Sequence, residues 1–341
     1  SHTLYLIFDS IGVKLPFPYT LMGAFGVEIF FVLSEFLIGG ILIRELNKEE
    51  GFGFKQIKKF WIRRWFRTLP NYYLVLLISF LYLIIKVGPA PRDIFIKIFA
   101  FYPLFLQNLV MVPDFFGVSW SLTIEEWFYI LFPIFLFLIV NASANKYKAL
   151  WITVVLFVVM SLTFKLTYFY VDVGRPLRHI IFNRIDSIAV GVFAAMMFYY
   201  HRGIWDQYKK KLFTIGMIFL IICFTFYINM DHKGFFMKTF YWEFLGISIA
   251  LIFPLTYYLK RFRFKNMNRL IVHISLISYS AYLVHLIVLD VFNIYGIKRG
   301  ILDPMFGFFL IWFNIFIICS FQYWYFEKPF THLRERFSNK E

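Results

Sequence analysis

Long apolar runs alternate along the chain with short polar or basic stretches, and the lengths of these runs carry the first structural signal. A helix crossing a bilayer needs roughly 17–25 predominantly apolar residues. Runs of that kind predict spans at residues 23–43, 70–87, 122–140, 150–170, 180–200, 212–228, 240–259, 270–292 and 306–326. The opening piece, 1–9, is too short. Because the chain starts with Ser and enters apolar sequence at once, that piece reads as the end of a first span that begins upstream. Residues 94–112 are also apolar, but Pro103, Gln107 and Asn108 interrupt them and Pro113 bounds them.

Charge decides the status of that stretch. Basic residues concentrate in five places, 44–67, Lys146 with Lys148, 202–211, 260–269 and 328–340, which hold most of the 35 Lys and Arg. Lys and Arg accumulate on the cytoplasmic side of short loops. If all five face the cytoplasm, the chain crosses the membrane an even number of times between Arg67 and Lys146. The runs 70–87 and 122–140 supply two crossings, so 94–112 reads as a re-entrant or surface helix. The expectation is an all-α polytopic membrane bundle of about ten spans, with both termini cytoplasmic and the first span completed upstream. It forms one membrane domain over residues 1–330, followed by a short charged tail, 331–341.

Composition agrees with this class: of 341 residues 60% are hydrophobic, 23% aromatic and only 16% charged. The net charge of +15 follows from the loop bias and from attraction to anionic lipid. The basic residues are dispersed over membrane-proximal loops, which argues against a nucleic-acid partner. Cys223 and Cys319 lie inside apolar runs and read as small packing residues. No metal site and no permanently bound cofactor is expected.

Against this background a few polar residues stand out. Glu125 and Glu126 open the apolar run 127–140, where an ionisable group costs roughly 2.5–3.5 kcal/mol and usually marks a polar interior. Arg63, Arg64 and Arg67 precede Pro70, and Arg64 and Arg67, three apart, share one face of an entering helix. Guanidinium suits bidentate phosphate contacts, so this end of the bundle fits a phosphorylated acyl carrier or a nucleotide. Ser278, Ala281, Tyr282 and His285 recur at helical spacing and predict an inward polar face. Arg184 and Asp186 are too close in sequence to face each other and are expected to pair with other helices. His273 and Asp290 lie near span ends and read as structural, and Glu243 reads as an interfacial residue.

In order, the chain contains GVEIFFVLSEFLIGG from Gly26, KKFWIRRWFRTLPNYY from Lys58, SWSLTIEEWFYILFP from Ser119, RIDSIAVG from Arg184, ISYSAYLVH from Ile277 and FEKPF from Phe326. Across essentially its whole length it resembles the membrane acyltransferase family 3. Members move an acyl group, usually acetyl, from cytoplasmic acyl-CoA to a carbohydrate or other acceptor on the far side of the membrane. The resemblance implies that His2 is the catalytic histidine of the first span, with its partner arginine upstream of Ser1. It implies that Arg64 and Arg67 meet acyl-CoA and that Glu125 is the glutamate of the WSL motif. Glu35 departs from the family, which usually has Gly at that point.

These parts suit acyl transfer to a hydroxyl. An imidazole titrating near neutrality can serve as the base, and a carboxylate such as Glu125 can hold its tautomer. Ser121, Tyr129 or an arginine could donate to the developing oxyanion. Glu126, Arg184, Asp186, Tyr282, His285 and Glu35 complete the expected supporting polar cluster. The expected partners are membrane lipid, acetyl-CoA as donor, and a surface glycan or its lipid-linked precursor as acceptor, in a bacterial plasma membrane. A transporter or flippase is the rival, since intramembrane Glu, Arg and His also build transport pathways.

Overall fold

The computed structural model describes residues 19–49, 51–88, 92–110, 112, 114–143, 145–169, 179–231, 234–259, 264–297 and 299–338. Regular structure among them is entirely helical. Helix α1 (Tyr19–Leu46) is followed by α2 (Phe54–Val87), α3 (Arg92–Phe101), α4 (Ser119–Ala142), α5 (Lys146–Tyr168) and α6 (Ile185–Tyr200). Then come α7 (Arg202–Asn229), the short α8 (Phe235–Thr239), α9 (Tyr241–Thr256), α10 (Lys265–Phe292), α11 (Pro304–Gln322) and α12 (Lys328–Ser338). A 3-10 turn, Ile181–Asn183, leads into α6, and π-helical turns, Asn293–Ile297 and Tyr323–Glu327, follow α10 and α11. Seven of the described helices are long and apolar enough to cross a membrane, and α6 and α9 are shorter apolar helices. The protein is a polytopic helical membrane bundle. The expected end of a first span, 1–9, lies outside the described residues.

Local sequence accounts for several helix ends. Asp303 caps α11 by accepting from the Met305 and Phe306 amides at 2.9 and 3.1 Å, and Pro304 takes the first position, where its missing N–H costs nothing. Asn145 caps α5 through the Lys148 amide at 3.0 Å. Two helices reach further into basic sequence than the apolar runs 70–87 and 212–228 predict. Helix α2 begins at Phe54 and carries Pro70 inside it, and α7 begins at Arg202, well before residue 212. Pro70 can donate no bond to the carbonyl four residues back, but a helix held by neighbouring polar groups tolerates this. The charged residues extend the helices beyond their apolar runs, because Lys and Arg are good helix formers.

The chain divides into two compact units. The first comprises the described parts of Ser1–Thr20, Lys59–Trp120 and Lys260–Glu341. Here residues 94–112 behave as charge predicted, since the 10-residue α3, about 15 Å long, is too short to cross a bilayer. Irregular backbone follows it. Tyrosine hydroxyls satisfy carbonyls of that segment: Tyr72 donates to Tyr102 at 2.9 Å, Tyr73 to Pro103 at 2.9 Å and Tyr282 to Val118 at 3.2 Å. Asn108 donates its amide to the Trp120 carbonyl at 2.8 Å. Such pairing is what permits non-helical backbone within a membrane protein.

The second unit comprises Leu21–Lys58 and the described parts of Ser121–Leu259. Its core joins Leu21 and Val32 of α1 to Cys223 and Tyr227 of α7 and to Tyr241, Leu245 and Ile249 of α9. Small residues set the helix spacing. A Cβ on Gly191 of α6 would lie 2.6 Å from the Val32 carbonyl oxygen, and one on Gly216 of α7 would lie 2.8 Å from that of Ser248. At these two crossings only glycine lets the backbones approach.

Candidate active site

Helix α4 buries a run of polar side chains near its first turns: Ser121, Glu125, Glu126 and Tyr129 are all at most 5% exposed. The Tyr129 hydroxyl, one turn beyond Glu125, donates to the Glu125 carboxylate at 3.0 Å. Ser34 Oγ on α1 lies 3.3 Å from the Tyr129 oxygen. With the phenol proton directed at a carboxylate, Ser34 is the donor in that second contact, and the result is a relay from α1 to Glu125. Its neighbour Glu35, the residue that departs from the family, is fully buried at 0% exposure and therefore does not face lipid. Its Cβ would stand 2.7 Å from a Cβ placed on Gly191, so it is packed at the α1–α6 crossing.

A second set of charges is buried in the same unit. Arg184, at the start of α6, pairs with Glu28 of α1, and its guanidinium lies 4.8 Å from the Trp242 ring and 5.9 Å from that of Phe31. Asp186 accepts from Lys165 of α5 at 2.6 Å, and the same ammonium pairs with Glu243 of α9 and reaches the Thr239 carbonyl at 3.1 Å. Arg184 and Asp186 thus do pair with other helices. Glu243 is more than an interfacial residue, since it shares Lys165 with Asp186. Glu28 and Lys165 were missed by the sequence reading. The available signal was that Lys165 is the sole charge within 150–170 and that α1 carries two carboxylates in its apolar run. Charges at such depth persist only when paired, and here two cations serve three carboxylates.

In the first unit α2 carries the arginines. Arg63 and Arg64 are partly buried and Arg67 is exposed, and Trp61 and Trp65 of the same helix stack on each other with ring centroids 5.7 Å apart. The face proposed for α10 is rotated from its expected position. Ser278 is exposed and bonds the Ser275 carbonyl at 2.8 Å, whereas Ser280 is the buried hydroxyl. Tyr282 and His285 flank the buried stripe Ile277, Ser280, Leu283 and Val284, and His285 Nδ1 lies 2.8 Å from the Tyr282 carbonyl. The error arose because Ser278 heads a polar i, i+3, i+4, i+7 series while apolar packing, which dominates the burial, follows the neighbouring one. His273 and Asp290, expected to be structural, each contact another helix. His273 bonds Ser320 at 2.9 Å, and Asp290 accepts from Tyr82 at 2.8 Å and pairs with Lys86.

In the second unit Ser34, Tyr129 and Glu125 are joined, Glu28 pairs with Arg184, and Lys165 pairs with Asp186 and Glu243; in the first unit His285 lies against the Tyr282 carbonyl. His2 lies outside the described residues. What these helices define is a multi-spanning membrane protein with polar chemistry packed inside it. A family model described as an acyltransferase domain matches residues 1–323, and the chain belongs to that family, membrane acyltransferase family 3. It is 27% identical over 338 residues to a Staphylococcus aureus (strain COL) protein provisionally named an O-acetyltransferase, covering 90% of this chain and 52% of that protein. It is 28% identical over 298 residues to the peptidoglycan O-acetyltransferase OatA of Listeria monocytogenes, covering 81% of this chain and 46% of that one. The chain spans about half the length of the curated relatives it matches. No solved structure matches it.

Proposed function

We propose that this chain is a membrane O-acyltransferase that moves an acetyl group from cytoplasmic acetyl-CoA to a hydroxyl of a surface glycan or its lipid-linked precursor. The observation that carries the reading is a carboxylate, Glu125, held inside an apolar helix by the Tyr129 hydroxyl. An ionisable group inside a span is costly and by default marks a functional site. Peptidoglycan is one glycan acceptor the reading includes, because the Listeria relative bears that name.

The mechanism assigns each step to a residue of the chain. The cluster of Arg63, Arg64 and Arg67 at the basic end of α2 binds the CoA phosphates in the cytoplasm, and the thioester extends into the bundle. His2 takes the proton from the acceptor hydroxyl as its oxygen attacks the thioester carbonyl. The C–S bond breaks, the CoA thiolate leaves, and the proton passes from the imidazole to that sulfur. Glu125 fixes the imidazole tautomer and stabilises its charged form, while Tyr129 and Ser34 fix Glu125. The bias of Lys and Arg supports placing the basic loops and helix ends on the cytoplasmic side; the membrane is taken to be a bacterial plasma membrane.

The test uses purified protein in detergent with acetyl-labelled acetyl-CoA and glycan fragments. Label is expected in an ester-linked product and is expected to disappear with Glu125→Gln. Folded protein that neither transfers nor hydrolyses the acetyl group, yet moves a solute across vesicles, would establish a transporter instead.

A further inference from the structure

Several buried polar atoms of the second unit have no hydrogen-bond partner among the described residues: Arg184 Nε and Nη1, Glu28 Oε2, Glu243 Oε2, Ser187 Oγ and Thr239 Oγ1. Arg184, Glu28, Ser187 and Thr239 are at most 1% exposed. Their contacts hold them in one cluster. Arg184 pairs with Glu28 and lies 4.8 Å from the ring of Trp242, the neighbour of Glu243. Lys165 joins Glu243 to Asp186 and to the Thr239 carbonyl, and the Ser187 amide donates to Asp186 at 2.8 Å. A buried polar atom that gains no partner keeps its full desolvation cost, so a set of this size calls for a polar guest. Glu243, with its side chain 16% exposed, and the half-buried Trp242 bring the cluster to the surface at the start of α9.

The open atoms select the chemistry of that guest. Guanidinium N–H groups need an acceptor, whereas carboxylate oxygens need a donor. An anion cannot donate, and a metal ion or an ammonium group cannot accept. Two cations already face three carboxylates here, so an anion would also meet surplus negative charge. Hydroxyl groups both donate and accept, which suits a neutral polyol.

Position narrows the choice further. In α1, α5, α6 and α9 alike, the cluster lies toward the helix end away from the basic stretches: Glu28 precedes Arg44 by most of α1, Lys165 is remote from Lys146, and Arg184 and Glu243 stand at the starts of helices that run toward 202–211 and 260–269. Acyl-CoA arrives at the basic end in the mechanism above, so a guest of this cluster enters from the opposite side. Ser34, which contacts Tyr129, follows Glu28 on α1 by about 9 Å of helix rise, which leaves a bound sugar within reach of the relay that holds Glu125.

We infer that these open atoms form the acceptor subsite and that it takes a neutral, hydroxyl-rich sugar, whose hydroxyls accept from the Arg184 guanidinium and donate to Glu28 and Glu243. The inference rests on the reading of acyl transfer to a glycan. It adds to that reading the place of the acceptor and its lack of charge.

The measurement is KM for the N-acetylglucosamine trimer, a neutral sugar, with the purified chain in detergent at saturating acetyl-CoA, beside the Kd for acetyl-CoA. Ser187→Ala and Thr239→Val each remove a hydroxyl that the fold itself leaves open. Each is expected to raise KM about fivefold, the size of one hydrogen bond, with the Kd for acetyl-CoA unmoved and the thermal midpoint not lowered. If one variant fails to fold, the other decides. An unchanged KM, whether or not the midpoint rises, would mean that the open atoms hold only water and would overturn the inference. So would a Kd for acetyl-CoA that weakens in step with KM. Wild-type protein that turns over acetyl-CoA without acetylating the trimer would overturn the sugar subsite and leave acyl transfer standing. Absence of acetyl-CoA turnover with any acceptor would remove the acyl-transfer reading, and the subsite with it.

Discussion

Tyr129 donates its hydroxyl to the carboxylate of Glu125, one turn earlier on the same helix, across 3.0 Å. The pair fixes a costly side chain from within its own helix, and Ser34 extends the hold to α1. A carboxylate oriented in this way is suited to orient an imidazole in turn.

Glu125→Gln is accordingly expected to lower acetyl transfer by about a hundredfold or more, while Tyr129→Phe, which removes only the orienting hydroxyl, costs about tenfold. Initial rates with labelled acetyl-CoA check both, and full activity in Glu125→Gln would take the carboxylate out of the chemistry.

His2→Ala is expected to abolish transfer while leaving acetyl-CoA affinity largely intact, since a base contributes to the reaction and not to holding phosphates. Rates and equilibrium binding measured on the same preparation decide it. Retained transfer would move the base to another residue.

Arg64→Ala and Arg67→Ala are each expected to weaken acetyl-CoA binding about tenfold without lowering the thermal midpoint, and the wild-type affinity should fall as salt rises. Titration calorimetry at several ionic strengths is the check. An unchanged Kd in both variants removes the phosphate contact.

Lys165→Met leaves the Asp186 and Glu243 carboxylates buried around an apolar side chain, and breaking a buried ion pair from one side costs about 3–5 kcal/mol. A markedly lower unfolding midpoint in detergent is expected, with recovery when Asp186→Asn and Glu243→Gln are added. Lys165→Met with an unaltered midpoint would show that the network contributes little.

Gly191→Leu is expected to disrupt folding outright, because even a Cβ there stands 2.6 Å from the Val32 carbonyl oxygen. Gly203→Ala, whose Cβ meets nothing within 4 Å, is the matched control and should leave the midpoint unchanged or raised. Equal midpoints for Gly191→Leu and wild type would contradict the close crossing of α1 and α6.

The helical membrane class, the location of most spans and the short, non-spanning nature of 94–112 were all legible from the runs and the basic stretches. Where reading failed, packing had decided. At Phe54 and Arg202 the helices continue into charged sequence that a search for apolar residues leaves out. At Ser278 the polar series pointed to one face of α10, and the tighter burial of Ser280 beside Asn71 and Glu327 chose the next.

The sequence by itself determined which segments enter the membrane and which charged residues must find partners there, because hydrocarbon penalises an unpaired ion wherever it stands. The partners themselves came only with the tertiary structure. Lys165 meets Asp186, 21 positions away, and Asn71 meets Glu327, 256 positions away, because separate helices pack side by side. Spacing within one helix predicts which residues share its face; it carries no information about the face of another helix that closes over them.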